Sequence, residues 1–245
     1  MRKVLAVLCC LVLAAGLLTG CGEKAPNGLK KKKVDREPYQ SELAQFAMPQ
    51  AGDPIAVFHT GEGEIRAVLY PDQAPMAVEN FIGLAEEGFY NDMPFHRVLY
   101  GFVVQGGDAD GTGHSGRTIW NNNPYPKEMS GALRHYPGAL CAAFSPEEPI
   151  SGGSQFYFVQ ALPGAVDESL IQQLTENGTE QAVIDAYSAV GGLPYLDYTD
   201  TVFGQVYEGM DVVDEIARRD TDENGLPDDA ILIEEVTIEA YEPEE

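Results

Sequence analysis

Short apolar runs separated by turn residues dominate the sequence from Ile55 onward. The first two runs, 55–59 and 64–69, flank Gly61-Glu62-Gly63, a spacing typical of a β-hairpin. Further strand-like runs occupy 94–100, 102–105, 139–143, 155–160, 201–206 and 230–238. Many short strands with few helices predict a mainly β chain, an antiparallel sheet or barrel with helices at its ends.

Three segments carry apolar residues at helical spacing. Segments 75–87 and 210–218 each place apolar side chains on one face, and the first ends at Gly88, a residue typical of helix C-termini. Segment 167–189 repeats the pattern over a longer stretch, so we predict one long helix there.

The N-terminus has the pattern of a targeting segment. Arg2 and Lys3 precede the apolar run 4–18, which is shorter than the ~20 residues of a membrane-spanning helix. The next residues, Leu18-Thr19-Gly20-Cys21, resemble the bacterial lipobox, whose Cys is lipidated. We therefore expect a lipoprotein signal peptide over 1–20 and a lipid anchor at Cys21, which would hold the chain on the extracytoplasmic side of a membrane in a bacterial cell envelope. An ordinary signal peptide cut near Cys21 is the alternative.

Residues 21–53 hold several prolines and the run Lys30–Lys33 but little apolar periodicity, which predicts a flexible linker. The whole chain has 15 basic against 39 acidic residues, a formal net charge of −24. Such acidity argues against a nucleic-acid partner, because like charges repel. After signal cleavage only Cys21 and Cys141 remain, and we expect Cys141 to be a buried, inert thiol.

One long motif identifies a family. The stretch from Phe95 to Asp108, F-H-R-V-L-Y-G-F-V-V-Q-G-G-D, resembles the cyclophilin signature. Further segments that resemble cyclophilin motifs follow in the family's order, at 111–113, 126–128, 138–143, 153–158, 195–197, 202–206 and 209–213. The resemblance covers roughly residues 54–241 and leaves an acidic tail at 242–245. It implies a closed eight-stranded antiparallel barrel capped by helices, peptidyl-prolyl cis/trans isomerase activity and no cofactor.

The chemistry of that reaction explains which side chain it needs. Rotation about an X–Pro amide crosses a barrier of ~20 kcal/mol that comes from amide resonance, so a catalyst must bind the twisted amide better than the planar one. A guanidinium suits this task because it is permanently charged and its donors are planar and fixed. By motif position, the resemblance assigns the catalytic role to Arg97 and makes Gln105 its brace and a donor to the substrate backbone.

The resemblance also implies an apolar pocket for the proline ring and a groove for an extended, proline-containing polypeptide. By motif position the pocket walls are Phe102, Val103, Tyr157 and Leu196. The residues that border the groove are Ala143, Phe144, Gln155, Tyr195 and Asp200.

Several of these positions differ from the usual cyclophilin pattern. Val103 replaces a Met, which should make that wall shorter and stiffer. Phe144 replaces an Asn, Tyr157 a Phe, and Tyr195 the Trp that many cyclophilins use to bind cyclosporin. Asp200 stands where His or Tyr is common, and we expect its charge to favour substrates with basic residues near the proline.

Segment 161–194 is longer than the compact family pattern allows. This helical insertion either packs beside the groove and limits which clients enter, or is a solvated surface addition. We find no metal-site spacing among the four histidines, and the opening of a calcium loop at 220–225 lacks the Glu that its twelfth position requires, since Ile231 stands there. An Asp/Gly turn is the favoured interpretation of that loop.

The sequence leaves three candidate functions. The first is an extracytoplasmic lipoprotein isomerase that speeds the folding of exported proteins. The second is a cyclophilin-fold peptide-binding or chaperone module with little catalysis, which the departures at Val103, Phe144 and Asp200 would allow. The third, a solute-binding lipoprotein, requires two lobes around a cleft, which one strand-rich domain does not suggest.

Overall fold

The computed structural model describes residues 25, 27–113, 116–145, 148 and 150–243. Its strands are β1 (Pro54–Thr60), β2 (Gly63–Leu69), β3 (Met93–Pro94), β4 (Arg97–Leu99), β5 (Val103–Gly106), β6 (Tyr125–Pro126), β7 (Ala139–Ala142), β8 (Ile150–Gly152), β9 (Phe156–Val159), β10 (Thr201–Glu208) and β11 (Leu232–Ala240). Its α-helices are α1 (Pro75–Glu86), α2 (Glu168–Glu176), α3 (Gln181–Val190) and α4 (Met210–Ala217). The predicted mainly β architecture is therefore confirmed.

The predicted closed eight-stranded barrel is wrong. Nine strands form one antiparallel sheet in the order β3-β11-β1-β2-β10-β7-β9-β5-β4, and β6 pairs with β8 in a separate ribbon. The two ends of the order, β3 and β4, form no ladder with each other in the described part of the chain. Both end strands are short, and Pro94 lacks the N–H that a ladder needs. The sheet therefore curls into an open half-barrel.

The concave side of the sheet is filled by aromatic side chains. Phe58 of β1 lies 4.9 Å from Phe158 of β9, measured between ring centroids, and Phe81 of α1 lies 5.3 Å from Phe203 of β10. These buried rings join strands from both halves of the sheet to α1 in a single core. Offset and edge-on ring pairs of this kind add to the stabilisation that burial itself provides.

The insertion contains two helices instead of the one predicted over 167–189. Asp167 caps α2 by accepting a hydrogen bond of 2.9 Å from the backbone N–H of Leu170. The helix ends at Glu176 with Asn177 as its C-cap, and Gly178 then adopts φ +74°, a left-handed conformation that glycine takes without strain. The apolar spacing continues across the break because α2 and α3 contribute to one small cluster with Tyr136.

Residues 27–53, which we call the N-terminal strap, lie against the domain. Arg36 of the strap forms an ion pair with Asp214 of α4, and Gln45 donates to the backbone oxygen of Arg134. The aromatic ring of Phe46 lies 4.9 Å from that of Tyr136. The described part of the predicted flexible linker is thus packed, because three of its apolar side chains, Tyr39, Leu43 and Phe46, complete the cluster formed by the insertion.

The predicted signal peptide, 1–20, and the predicted anchor, Cys21, lie outside the described residues. No helix in the described ranges has both the length and the apolar character needed to cross a bilayer. Within the same ranges, His, Cys, Asp and Glu side chains form no group that could hold a metal ion.

Candidate active site

Three side chains from neighbouring strands form a hydrogen-bonded row. Arg97 begins β4 and lies directly opposite Gln105 of β5 in the antiparallel register. Its Nη1 donates to Oε1 of Gln105 over 3.3 Å, and Nε2 of Gln105 donates to Oε1 of Gln155 over 3.0 Å. The pairing of β4 with β5 therefore places the Gln105 amide where it holds the Arg97 guanidinium, as the sequence predicts.

The guanidinium of Arg97 contacts neutral side chains in the described part of the chain. Among the described residues, no carboxylate forms an ion pair with this guanidinium, and its Cζ lies 5.5 Å from the centre of the Phe102 ring. Burial lowers the pKa of Arg97 from its ordinary value, but an arginine stays protonated at neutral pH. A half-buried cation whose described contacts are with neutral groups is well placed to act on a substrate carbonyl.

The predicted pocket walls share one apolar cluster. Val103 and Tyr157 are buried in it, at 2% and 4% exposure. Phe102, Ala143 and Leu196 pack against its edge and stay partly exposed. Five residues that the sequence predicts for the site are therefore brought together, with two forming the base and three reaching solvent.

Asp200 is not a free carboxylate. Its Oδ2 accepts a hydrogen bond of 2.9 Å from the hydroxyl of Tyr157, and its Oδ1 lies 3.8 Å from Nζ of Lys127. Burial raises the pKa of Asp200, while the Tyr157 and Lys127 contacts oppose that rise. Tyr157 and Asp200 both differ from the usual cyclophilin residues, and the two substitutions are linked, because the Tyr157 hydroxyl donates its hydrogen bond to Asp200.

Sequence reasoning missed Lys127 in this arrangement. Its Nζ also lies 5.4 Å from the centre of the Phe144 ring. Lys127 stands in a segment that resembles a family motif, yet nothing in the sequence indicates that it meets both Asp200 and Phe144. The contact depends on how the segment after β6 passes the start of β10, where the backbone N–H of Glu128 donates 2.8 Å to the Thr201 hydroxyl.

A cavity of about 450 Å³ lies beside the row of amides. Its lining includes four predicted site residues, Gln105, Ala143, Phe144 and Gln155, together with Ser145, Glu148 and Ser151. The last three were missed because Ser145 and Glu148 lie between β7 and β8, Ser151 lies on β8, and this polar stretch has no motif of its own. The backbone N–H of Ala143 donates 3.0 Å to the carbonyl of Gln155, which keeps the two sides of the cavity in register.

The insertion ends at the pocket. Tyr195 is 59% exposed and immediately precedes Leu196. The next residue, Asp197, accepts hydrogen bonds of 2.9 and 2.8 Å from the Tyr187 hydroxyl of α3, and its Oδ1 lies 3.0 Å from Nδ1 of His135. The chain is therefore anchored on the C-terminal side of the Leu196 wall.

Comparison with known proteins identifies the family of this chain. The family model for the cyclophilin type peptidyl-prolyl cis-trans isomerase/CLD matches residues 55–238. A protein of Staphylococcus saprophyticus, named as a peptidyl-prolyl cis-trans isomerase, is 39% identical over 182 residues, which are 74% of this chain and 90% of that protein. One from Staphylococcus aureus strain COL, named likewise, is 37% identical over 190 residues, 78% of this chain and 94% of its own length.

The fold has a counterpart among solved structures. A cyclophilin type isomerase of Cryptosporidium parvum, crystallised in the presence of the dipeptide Ala-Pro, superposes with a TM-score of 0.62 at 24% identity, covering 76% of this chain and 99% of that one. The family match spans most of the domain that carries the row of amides and the apolar cluster. On its motifs, its fold and its relatives, this chain belongs to the family of cyclophilin-type peptidyl-prolyl cis-trans isomerases.

Proposed function

We propose that this chain accelerates the cis/trans isomerisation of X–Pro bonds in extended segments of exported polypeptides, with Arg97 as its catalytic residue. The observation that carries this proposal is the position of the Arg97 guanidinium, which Gln105 holds beside the exposed edge of the apolar cluster. A cation next to an apolar surface matches what the reaction requires, because proline offers an apolar ring and an amide that must twist.

The mechanism requires no nucleophile and no proton transfer. The proline ring packs on Phe102 and Leu196, over the base that Val103 and Tyr157 form. Arg97 donates hydrogen bonds to the carbonyl next to the prolyl nitrogen and interacts with the lone pair that this nitrogen gains as it becomes pyramidal. The interaction with the nitrogen strengthens as resonance is lost, because the lone pair is then no longer shared with the carbonyl, so Arg97 favours the twisted amide over either planar isomer. Gln105 keeps the guanidinium in place and donates to the substrate backbone.

A peptide groove supports the same proposal. The cavity beside Gln105 and Gln155 gives the residues that precede the proline a place to lie. The Cryptosporidium relative was crystallised in the presence of Ala-Pro, which supports the binding of proline-containing peptides by this fold.

The first test compares the full-length chain with its Arg97→Ala variant in a protease-free isomerisation assay on X–Pro peptides. We expect kcat/KM to fall about 100-fold, the usual cost of one donor that acts on developing charge. Arg66→Ala is the matched control, because Arg66 on β2 pairs only with Glu64 and Glu239 in the described salt bridges. Equal rates for wild type and Arg97→Ala would contradict the proposed role of Arg97.

A parallel peptide titration separates catalysis from binding. If the folded wild type bound proline peptides but left their isomerisation rate unchanged, the chain would be a peptide-binding or chaperone module. The substitutions at Val103, Phe144 and Asp200 would then be the first to reverse.

We further propose that Cys21 is lipidated and holds the domain on the extracytoplasmic face of a bacterial membrane. The support is the sequence Leu18-Thr19-Gly20-Cys21 after a basic and apolar leader. In cells fed a labelled fatty acid, the wild type should carry the label and sediment with membranes. Cys21→Ser should lose both properties, whereas Cys141→Ser, which alters a buried thiol, should keep them. Label retained by Cys21→Ser would contradict the anchor.

A further inference from the structure

The wall residue Phe102 sits on a tight turn between β4 and β5. Its backbone N–H donates 2.9 Å to the carbonyl of Leu99, and Gly101 between them adopts φ +79°. Phe102 also faces Arg97 through its ring. A change in the position of this turn would therefore move a pocket wall and a neighbour of the catalytic group together.

Gln160 holds that turn from the inside. It is fully buried, and its backbone N–H donates 2.8 Å to the carbonyl of Phe102. Its side-chain Oε1 accepts 2.6 Å from the N–H of Gly101, and its Nε2 donates 2.7 Å to Oδ1 of Asp214. The orientation of this one amide is therefore set by the carboxylate on α4.

Arg36 of the N-terminal strap holds that carboxylate. Its Nε and Nη2 donate to Oδ2 and Oδ1 of Asp214, each over 2.7 Å, and Nη2 also donates 3.1 Å to the carbonyl of Ala161. The Asp214 side chain is only 7% exposed. Two parallel, charge-assisted bonds to a buried carboxylate fix its direction as well as its charge.

The strap also covers the turn from outside. Nδ2 of Asn27 donates 2.8 Å to the carbonyl of Tyr100, and the Tyr100 hydroxyl bonds to both the N–H and the carbonyl of Lys32. A Cβ built on Gly101 would lie 2.7 Å from Cδ1 of Leu29. The turn is thus held between Gln160 on one side and strap residues on the other.

We propose that Arg36 is a positioning residue for the isomerase site, acting through Asp214 and Gln160 on the turn that carries Phe102. This inference rests on the proposed function, and it makes a segment before the family-matched region 55–238 part of the working site. Without Arg36, the buried Asp214 carboxylate loses its cationic partner and must recruit water or turn, which releases the amide that holds Gly101 and Phe102.

Such a role predicts a particular kinetic signature. Phe102 binds the proline ring in the ground state and the transition state alike, so a loosened wall raises KM and changes kcat little. A merely structural role has another effect, because a smaller folded fraction lowers the apparent kcat and leaves KM unchanged.

The experiment measures kcat and KM for an X–Pro peptide with the full-length wild type, Arg36→Ala, Gln160→Leu and the double variant. We expect KM to rise about threefold to tenfold in each single variant, with kcat within about twofold of wild type. The double variant should be little worse than Gln160→Leu, because both changes break one chain of contacts. Arg66→Ala, which removes an exposed ion pair on β2, is the control and should match wild type.

The outcomes separate the inference from the proposed function. If the wild type isomerises peptides and Arg36→Ala keeps its KM, or if the two single effects add fully, the positioning role is wrong while the isomerase stands. If the wild type neither binds nor isomerises, both fall. If Arg36→Ala does not fold, Arg36→Lys gives the same comparison, since it keeps a cation beside Asp214 and loses the paired geometry.

Discussion

At the scale of single residues, the pocket base combines a tyrosine with an acid. The hydrogen bond from Tyr157 and the nearby ammonium of Lys127 partly compensate the negative charge of the buried Asp200 carboxylate. We therefore expect the charge of Asp200 to have little influence on the preference for substrates with basic residues next to the proline. Its larger effect should be on the pH dependence of stability.

That effect has a definite sign. Burial raises the pKa of Asp200 above its ordinary 3.8, so the folded state holds this proton more tightly than the unfolded state does. The free energy of unfolding should therefore fall as pH rises from 3.8 through the raised pKa. Asp200→Asn removes this loss, so its stability relative to wild type should increase over that window and then stay constant. Urea unfolding at several pH values measures the difference.

Asp222→Asn supplies a control of opposite sign. Backbone N–H groups, first that of Leu226, lower the pKa of Asp222 below 3.8. The contribution of Asp222 to the free energy of unfolding is present above pH 3.8 and is lost as pH falls through the lowered pKa. Parallel pH curves for wild type and Asp200→Asn would mean that the Asp200 carboxyl does not experience the burial described.

At the scale of elements, the insertion and the strap depend on each other. Tyr39, Leu43 and Phe46 of the strap pack against the cluster that includes Val183 and Tyr187 of α3. Neither partner could bury its apolar face alone, because α2 has no fully buried residue and the strap forms only one turn of 3-10 helix. Together they form a small second core on the half-barrel.

We expect Phe46→Ala to lower the free energy of unfolding by about 2 kcal/mol, less than a fully buried Phe costs because Phe46 is half-buried. Met48→Ala is the matched control in the same strap, since Met48 is 63% exposed, and it should cost under about 0.5 kcal/mol. Urea unfolding compares the two variants, and hydrogen exchange shows whether α3 loses protection first. Equal effects of both substitutions would mean that the strap adds no core.

The sequence predicts local features of the site better than distant contacts. Arg97, Gln105, Phe102 and Val103 fall within one motif, and the β4–β5 register alone brings the first two together. Gln155 and Tyr157 follow from a second motif on β9. The Arg36–Asp214 pair joins residues 178 positions apart, so no local pattern could indicate it.

At the scale of the whole molecule, two predictions failed for physical reasons. Sheet closure depends on whether the end strands β3 and β4 can pair. The sequence predicts one strand over 94–100, but in the structure this run divides between β3 and β4, which lie at opposite ends of the sheet. The sequence predicts a flexible linker over the strap because its apolar residues are too widely spaced to show periodicity, yet Tyr39, Leu43 and Phe46 pack against the cluster that the insertion forms. In both cases the outcome depends on contacts that only the assembled fold creates.

The central place of β1 in the sheet constrains the order in which the chain can be completed. β1 follows the strap directly, yet it lies between β2 and β11, and β11 is the last of the described strands. Gly52 and Asp53 exchange backbone hydrogen bonds with Tyr241 at the same edge. A ribosome delivers β2 long before β11, so β1 keeps an unpaired flank until residues 232–240 have been synthesised. The domain therefore belongs to the slow-closing, high-contact-order topologies, and a nascent chain cut short before residue 232 would present an open edge to its neighbours.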